Sequence, residues 1–374
     1  MSDKLWYKVA RNIVKAGAFP FPITDTLFEF LKTIITEEQA EFLLIFTNPS
    51  MTLEQIKKKV KDKANVDESS IKKMLNDLMD NGIITGTISR STGEKVYRLM
   101  GPFPGIFEYT LMRGKTDEKH KRFAKLAEKL FSELSEKAQK NYESISVLYK
   151  QAPAIDRTIP VEKEIQVGTE SVMPYEALEP YFKEYGAKEN RNGIALIHCY
   201  CRHEKDLLND PCKLNAPKLN CFLLDKSAQF AIEHKFGVPI SAEEALRLCK
   251  EAEDYGLVHK VFHVHSDPKL GLEAMCNCCK CCCGIFQLYQ RGVMPYHTIS
   301  SYLANINQEL CVGCGTCVQK CPIEAIELSE TIANVEENKC LGCGICAHFC
   351  PENAIHLKRT GPRDVFVPLK KINN

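Results

Sequence analysis

The sequence predicts an α+β protein, and three observations carry that prediction. Apolar residues recur at helical spacing through positions 1–80, then give way over 83–99 to two short β-rich runs around the turn Ser91-Thr92-Gly93. Between 155 and 299, strand-like runs such as Gly193-Ile194-Ala195-Leu196-Ile197 alternate with amphipathic helical stretches. From 300 to 374 a cysteine-bearing unit occurs twice. These shifts divide the chain into 1–112, a helical linker at 113–154, a central cysteine-rich α/β domain at 155–299 and a C-terminal domain at 300–374.

In the first part, Trp6, Val9 and Ile13 share one helix face before Pro20 and Pro22 break the chain. Glu37 to Phe46 reads as a helix, Thr52 caps another running to about Lys63, and Asp67 starts a third. Ile71, Leu75 and Leu78 form the apolar stripe of that third helix, and Asn81-Gly82 closes it. Ile83 to Ile88 and Lys95 to Leu99 follow as strands. Three helices followed by a β-wing resemble a winged-helix domain, whose third helix usually enters the DNA major groove. Here that helix carries Asp67, Glu68, Asp77 and Asp80 against Lys72 and Lys73, a poor balance for facing phosphates. The lysine run at 57–63 reads more simply as a solvated face. Protein docking is therefore the favoured role and DNA binding the alternative. Residues 101–115, opening Gly101-Pro102-Phe103-Pro104-Gly105, read as a linker. Phe123, Leu126, Leu130 and Leu134 then line one long amphipathic helix, and 155–167 read as extended.

The formal net charge of +1 gives no global field toward nucleic acid or membranes. No apolar run approaches bilayer-spanning length, and the N-terminus lacks a basic region followed by an apolar one, so a cytoplasmic location is expected. Cysteine is the outlier, at 19 residues. In a reducing compartment clustered thiols point to metal rather than to disulfides.

Two runs stand out near the C-terminus. Cys311, Cys314, Cys317 and Cys321-Pro322 are spaced as C-x2-C-x2-C-x3-C-P, and Cys340, Cys343, Cys346 and Cys350-Pro351 repeat the pattern 29 residues later. Three thiolates two residues apart wrap one iron–sulfur cube, and the interspersed glycines let backbone N–H groups approach its sulfides. The fourth cysteine opens toward the other cube. Cys311, Cys314, Cys317 and Cys350 then hold one [4Fe–4S] cluster, and Cys340, Cys343, Cys346 and Cys321 the other. Zinc, with four ligands per site, does not need this pattern. Residues 302–360 resemble the two-cluster bacterial ferredoxins, which implies a pseudo-twofold fold of hairpins and helices with clusters close enough for electrons to hop.

The central segment carries Cys199, Cys201, Cys212 and Cys221, then Cys276, Cys278, Cys279, Cys281, Cys282 and Cys283. All ten are candidate metal ligands. The first four are enough for one cube. The other six cannot all point into a second, because sequence neighbours point different ways, so a bridged or larger cluster, a single metal ion and redox thiols stay open. Cys249, on a helix beside Leu248, reads as a core residue. His198, His203, His259, His263 and His265 gather in this segment, with His263 and His265 on one side of an expected strand; hydrogen-bonded core or surface positions explain them as well as metal does. Arg202, beside Cys201, would raise the potential of a nearby anionic cluster. The order C-x-C-R-H, two further cysteines, a helical pair and C-N-C-C-x-C-C-C resembles uncharacterised multi-cluster ferredoxin-like proteins of anaerobes, over nearly the whole chain. That resemblance implies an additional Fe–S cluster and redox work, without naming a reaction.

The expected function is electron transfer through the two C-terminal clusters and a central one, with a ferredoxin, a flavoprotein or a larger oxidoreductase complex as partner. The alternatives are a cluster-dependent reductase, a subunit of a larger complex, and a redox-sensing winged-helix regulator. No G-x-G-x-x-G loop for flavin or dinucleotide is present, which favours a carrier or subunit over a stand-alone enzyme.

Overall fold

A computed structural model describes residues 2–17, 21–61, 67–89, 91–154, 156–165, 176–186, 193–262 and 273–372. Helices and strands are mixed throughout, and no helix among the described residues is long and apolar enough to cross a membrane. The chain forms two compact units, one built mainly from 1–134 and the other mainly from 135–202, 211–229 and 238–374.

The first unit runs α1 (Ser2–Ala16), α2 (Asp25–Lys32), α3 (Glu37–Leu43), β1 (Ser50–Thr52), α4 (Leu53–Lys61), α5 (Glu68–Asp80), β2 (Ile84–Ile88), β3 (Lys95–Leu99), α6 (Ile106–Leu111) and the first part of α7 (Glu118–Lys140). Trp6, Val9 and Ile13 are buried along one side of α1. Asp67 caps α5 by accepting from the Ser70 N–H at 3.0 Å, and Thr36 and Gln39 form a capping box on α3. The three strands pair in the order β1-β3-β2. Residues 106–111, expected as linker, instead form a helix whose Ile106, Phe107 and Leu111 are buried. Phe107 and Phe103 pack with Phe30, Phe123 and Phe131 at ring separations of 4.7–6.4 Å, so aromatic burial overrides the Pro/Gly composition. Two of the lysines of α4 and α5 are matched: Glu68 pairs with Lys57 and Lys72, both at 2.7 Å.

The second unit contains α8 (Tyr142–Gln151), β4 (Asp156–Ile159), α9 (Leu178–Gly186), β5 (Ile194–His198), the start of α10 (Tyr200–Leu207), β6 (Leu219–Leu224), the start of α11 (Asp225–Glu233), β7 (Val238–Ile240), α12 (Ala242–Asp254), β8 (Val258–Phe262), β9 (Ala274–Cys278), α13 (Gly284–Gln290), β10 (Tyr296–Ile306), α14 (Thr316–Lys320), β11 (Ile326–Ser329), β12 (Ile332–Val335), α15 (Ile345–His348) and β13 (Ile355–Val367). Eight strands form one sheet in the order β13-β10-β4-β8-β9-β6-β5-β7, and β11 and β12 form a separate hairpin. Every pairing in the large sheet is antiparallel except β4 with β10. The sheet thus takes strands from both cysteine-bearing segments. The extended stretch expected at 155–167 is strand only over Asp156–Ile159, and its end lies outside the described residues.

Candidate metal centres

The C-terminal runs fold as two like halves. In each, a cysteine-glycine loop leads into a short helix, α14 or α15, and then a strand, β11 or β13. Gly313 (φ +66°) and Gly342 (φ +61°) sit where only glycine fits: a Cβ would lie 2.2 Å from the Thr331 carbonyl oxygen in one half and 2.1 Å from that of Tyr302 in the other. Cys311, Cys314, Cys317 and Cys350 line one cavity together with Gly313 and Gly315. Cys321, Cys340, Cys343 and Cys346 lie in mutual electrostatic range. Backbone N–H groups of Ala325, Gly342 and Ala354 donate to Cys321, Cys340 and Cys350 at 3.2, 3.4 and 3.3 Å. The halves differ in exposure. Cys314 is exposed and Cys311 and Cys350 partly so, whereas Cys321, Cys340, Cys343 and Cys346 are buried. Burial pushes the Cys343 thiol up to about 12, so an ionised sulfur there calls for a cation beside it. Both sets fit a [4Fe–4S] cluster in donor number, donor type and amide hydrogen bonding.

The ten central cysteines separate into two groups that cut across the sequence. Strand register builds the first. Cys221 on β6 lies opposite Cys276 on β9, Cys278 follows on the same face, and Cys199 leaves the end of β5, whose Ile197 also faces Cys221. Hydrogen-bonding contacts close a ring of six sulfurs in the order Cys199, Cys201, Cys283, Cys278, Cys276 and Cys221. The Gly284 N–H, at the start of α13, donates to Cys201 at 3.1 Å.

The second group is Cys212, Cys279, Cys281 and Cys282, whose sulfurs all lie within 4.8 Å of one another. Cys212 Sγ is 3.8 Å from Cys279 and 3.7 Å from Cys281, and Cys281 is 3.6 Å from Cys282. A turn closed by the Cys283 N–H donating to the Cys279 carbonyl at 3.1 Å gathers the last three. The set of Cys199, Cys201, Cys212 and Cys221 suggested by the sequence is therefore not assembled: Cys212 lies in the loop between α10 and β6 and turns to the other group. Cys276, Cys278 and Cys283 face one site and Cys279, Cys281 and Cys282 the other; Cys278 and Cys279 part, as do Cys282 and Cys283, but the neighbours Cys281 and Cys282 turn to the same site, against the expectation that sequence neighbours point apart.

Two buried cations stand beside these thiols. Arg202 donates through Nη1 to the Asn277 carbonyl at 3.0 Å and approaches Cys279 Sγ at 3.9 Å, while its Nε and Nη2 find no hydrogen-bond partner. Burial works against its charge, but the Cys199, Cys221 and Cys279 sulfurs outweigh that and raise its pKa. Lys260, on β8 opposite Cys276, pairs with Asp156 at 2.9 Å, contacts the Tyr296 hydroxyl and helps lower the Cys283 pKa. Lys260 is not singled out by sequence pattern, because its relation to the thiols exists only through β8–β9 pairing. On the other face, Asn277 Oδ1 accepts from His259 Nδ1 at 2.7 Å, and His259 Nε2 meets Glu253 at 3.2 Å, so His259 is a hydrogen-bonded core residue. Cys249 is fully buried against Asn277, away from both thiol groups. His203 bonds the Lys115 carbonyl at 2.9 Å, His198 is half-buried with its pKa lowered by burial, and His263 and His265 lie outside the described residues.

No solved structure matches the chain. Residues 304–357, which span both C-terminal cysteine runs, match the family model of a 4Fe-4S dicluster domain. This part of the chain is a ferredoxin-like iron–sulfur domain.

Proposed function

We propose that the chain carries single electrons between its surface and a buried central site. Cys311, Cys314, Cys317 and Cys350 hold an outer [4Fe–4S] cluster, Cys321, Cys340, Cys343 and Cys346 an inner one, and the six-thiol ring a third polynuclear iron–sulfur centre. When bound, such clusters supply one-electron storage at potentials set by net charge, hydrogen bonds to sulfur and burial. The observation that carries the reading is continuity. Cys278 and Cys283 of the ring share one apolar cluster with Cys317, Cys321, Cys340, Cys343 and Cys346. Tyr296 lies within electrostatic reach of Cys278, Cys283 and Cys343 together, and its ring stacks on Phe286 at 5.2 Å. These side chains exclude water from the path between ring and inner set. Arg202 and Lys260 hold positive charge beside the ring, which favours its more negative, reduced form.

The outer end faces a partner. Leu310 and Val312 flank Cys311 and are 50% and 63% exposed, an apolar rim suited to transient docking of a redox protein. The N-terminal unit, read as winged-helix-like, is assigned to docking on a larger oxidoreductase rather than to DNA, since Lys57 and Lys72 are already paired with Glu68. A potentiometric EPR titration of the anaerobic, reduced full-length chain tests the wire. Three paramagnetic centres with magnetic coupling between the inner cluster and the ring support it. Two mutually coupled centres and no third would overturn it.

A further inference from the structure

We propose that Cys212, Cys279, Cys281 and Cys282 form a mononuclear site for one tetrahedrally coordinated divalent ion, zinc or iron(II), separate from every iron–sulfur cluster. The four sulfurs contact one another in all pairings, as the corners of a tetrahedron do. A single ion with metal–sulfur bonds of about 2.3 Å sets tetrahedral corners about 3.8 Å apart. The observed separations of 3.6, 3.7 and 3.8 Å meet that spacing. A cubane cannot: its four irons stand apart, each ligand sulfur lies outside its own iron, and the four sulfurs do not touch. The six-thiol ring has a different arrangement, in which each sulfur meets two neighbours and not all the others.

A second observation points to charge at this site. Four thiolates around one divalent ion carry a net charge of −2, and the buried Arg202 brings Nη1 to within 3.9 Å of Cys279 with two further nitrogen atoms unpartnered. The neighbouring Cys199 and Cys221 share that positive charge, so Arg202 ties the tetrahedron to the ring. Tetrahedral four-sulfur coordination selects zinc or iron among the common metals. The ion would fasten the loop before β6 to the turn after β9, the two segments that flank Cys221 and Cys283 of the ring. Its role is then to hold ring ligands in place rather than to store electrons. This site is independent of the wire proposed above.

The test is X-ray absorption at the zinc and iron edges on anaerobic full-length protein, with metal and acid-labile sulfide analysis of the wild type and of Cys281→Ser. Cys281 is the partly exposed member, so its replacement disturbs packing least. One zinc per chain with a sulfur-only shell near 2.3 Å, lost in Cys281→Ser while sulfide stays constant, supports the site with zinc as occupant. Loss of one iron with no loss of sulfide supports it with iron. Loss of several irons together with sulfide would overturn it, as would unchanged metal content in the variant and no zinc in the wild type. The wild-type zinc shell is read without any variant, so a folding defect does not hide the answer. Failure of the electron wire would instead appear as absent cluster coupling and leave this readout unaffected.

Discussion

The C-terminal and central cysteines use the same donor atom in opposite ways. At the C-terminus each proposed cluster would draw three ligands from one short loop and a fourth from the other half, so spacing in sequence is close to spacing in space. In the centre the six-thiol ring draws on the ends of β5 and β9, the middle of β6 and the caps of α10 and α13, and sheet register decides which sulfurs meet. A local site tolerates change elsewhere; a register-built site does not.

The largest expected effects test that contrast directly. Gly342→Ala forces a Cβ to within 2.1 Å of the Tyr302 carbonyl oxygen, and Gly313→Ala repeats the clash against Thr331 at 2.2 Å. Each is expected to destabilise its ligand loop by about 3 kcal/mol or more and to remove about four irons. Iron analysis should show the remaining cluster and the central iron retained. A loss of all iron in either variant would break the idea that the C-terminal halves are local.

Removing the charge of Arg202 addresses the centre. Arg202→Met leaves the Cys199, Cys221 and Cys279 sulfurs without their buried cation. The midpoint potential of the central signal should fall by roughly 60 mV or more, one decade in a one-electron equilibrium, with the C-terminal signals unmoved. A uniform shift of all signals would mean that the cation acts on the whole domain and not on the ring.

The N-terminal unit supplies a control governed by protons rather than by iron. Burial pushes the Glu108 carboxyl up to about 7, against the pull of the Gly105 N–H donated to it at 2.6 Å. A pKa raised above that of the unfolded chain contributes stability that is full below about pH 4.5 and is lost as pH rises through 7. The loss should reach at most about 3 kcal/mol. Glu108→Gln should flatten the pH dependence of this unit's melting, followed by circular dichroism, and leave iron content alone; an unchanged slope would remove Glu108 as its cause.

The smallest effect separates a core thiol from a ligand thiol. Cys249→Ala should lower stability by about 1–2 kcal/mol through lost packing and change neither iron nor sulfide. Iron loss in that variant would make Cys249 part of a centre.

What could be read in advance follows from the same contrast. Helix starts at Glu37, Thr52 and Asp67 are local hydrogen-bond chemistry, and the paired C-x2-C-x2-C-x3-C-P runs are local loop geometry. The grouping of Cys212 with Cys279, Cys281 and Cys282 was not legible, because it requires a loop from before β6 to meet a turn after β9. Lys260 was hidden for a similar reason, since a lone lysine in a strand shows no partner until β8 pairs with β9. The helix at 106–111 was masked by neighbouring prolines and glycines whose effect aromatic packing overrides.

The most direct test is the count of iron and acid-labile sulfide per chain in anaerobically purified full-length protein and in Cys278→Ser. The account predicts clearly more than about eight irons in the wild type, with the excess and its sulfide lost in the variant while about eight remain. About eight irons in both proteins would contradict it and leave the ring as thiols alone.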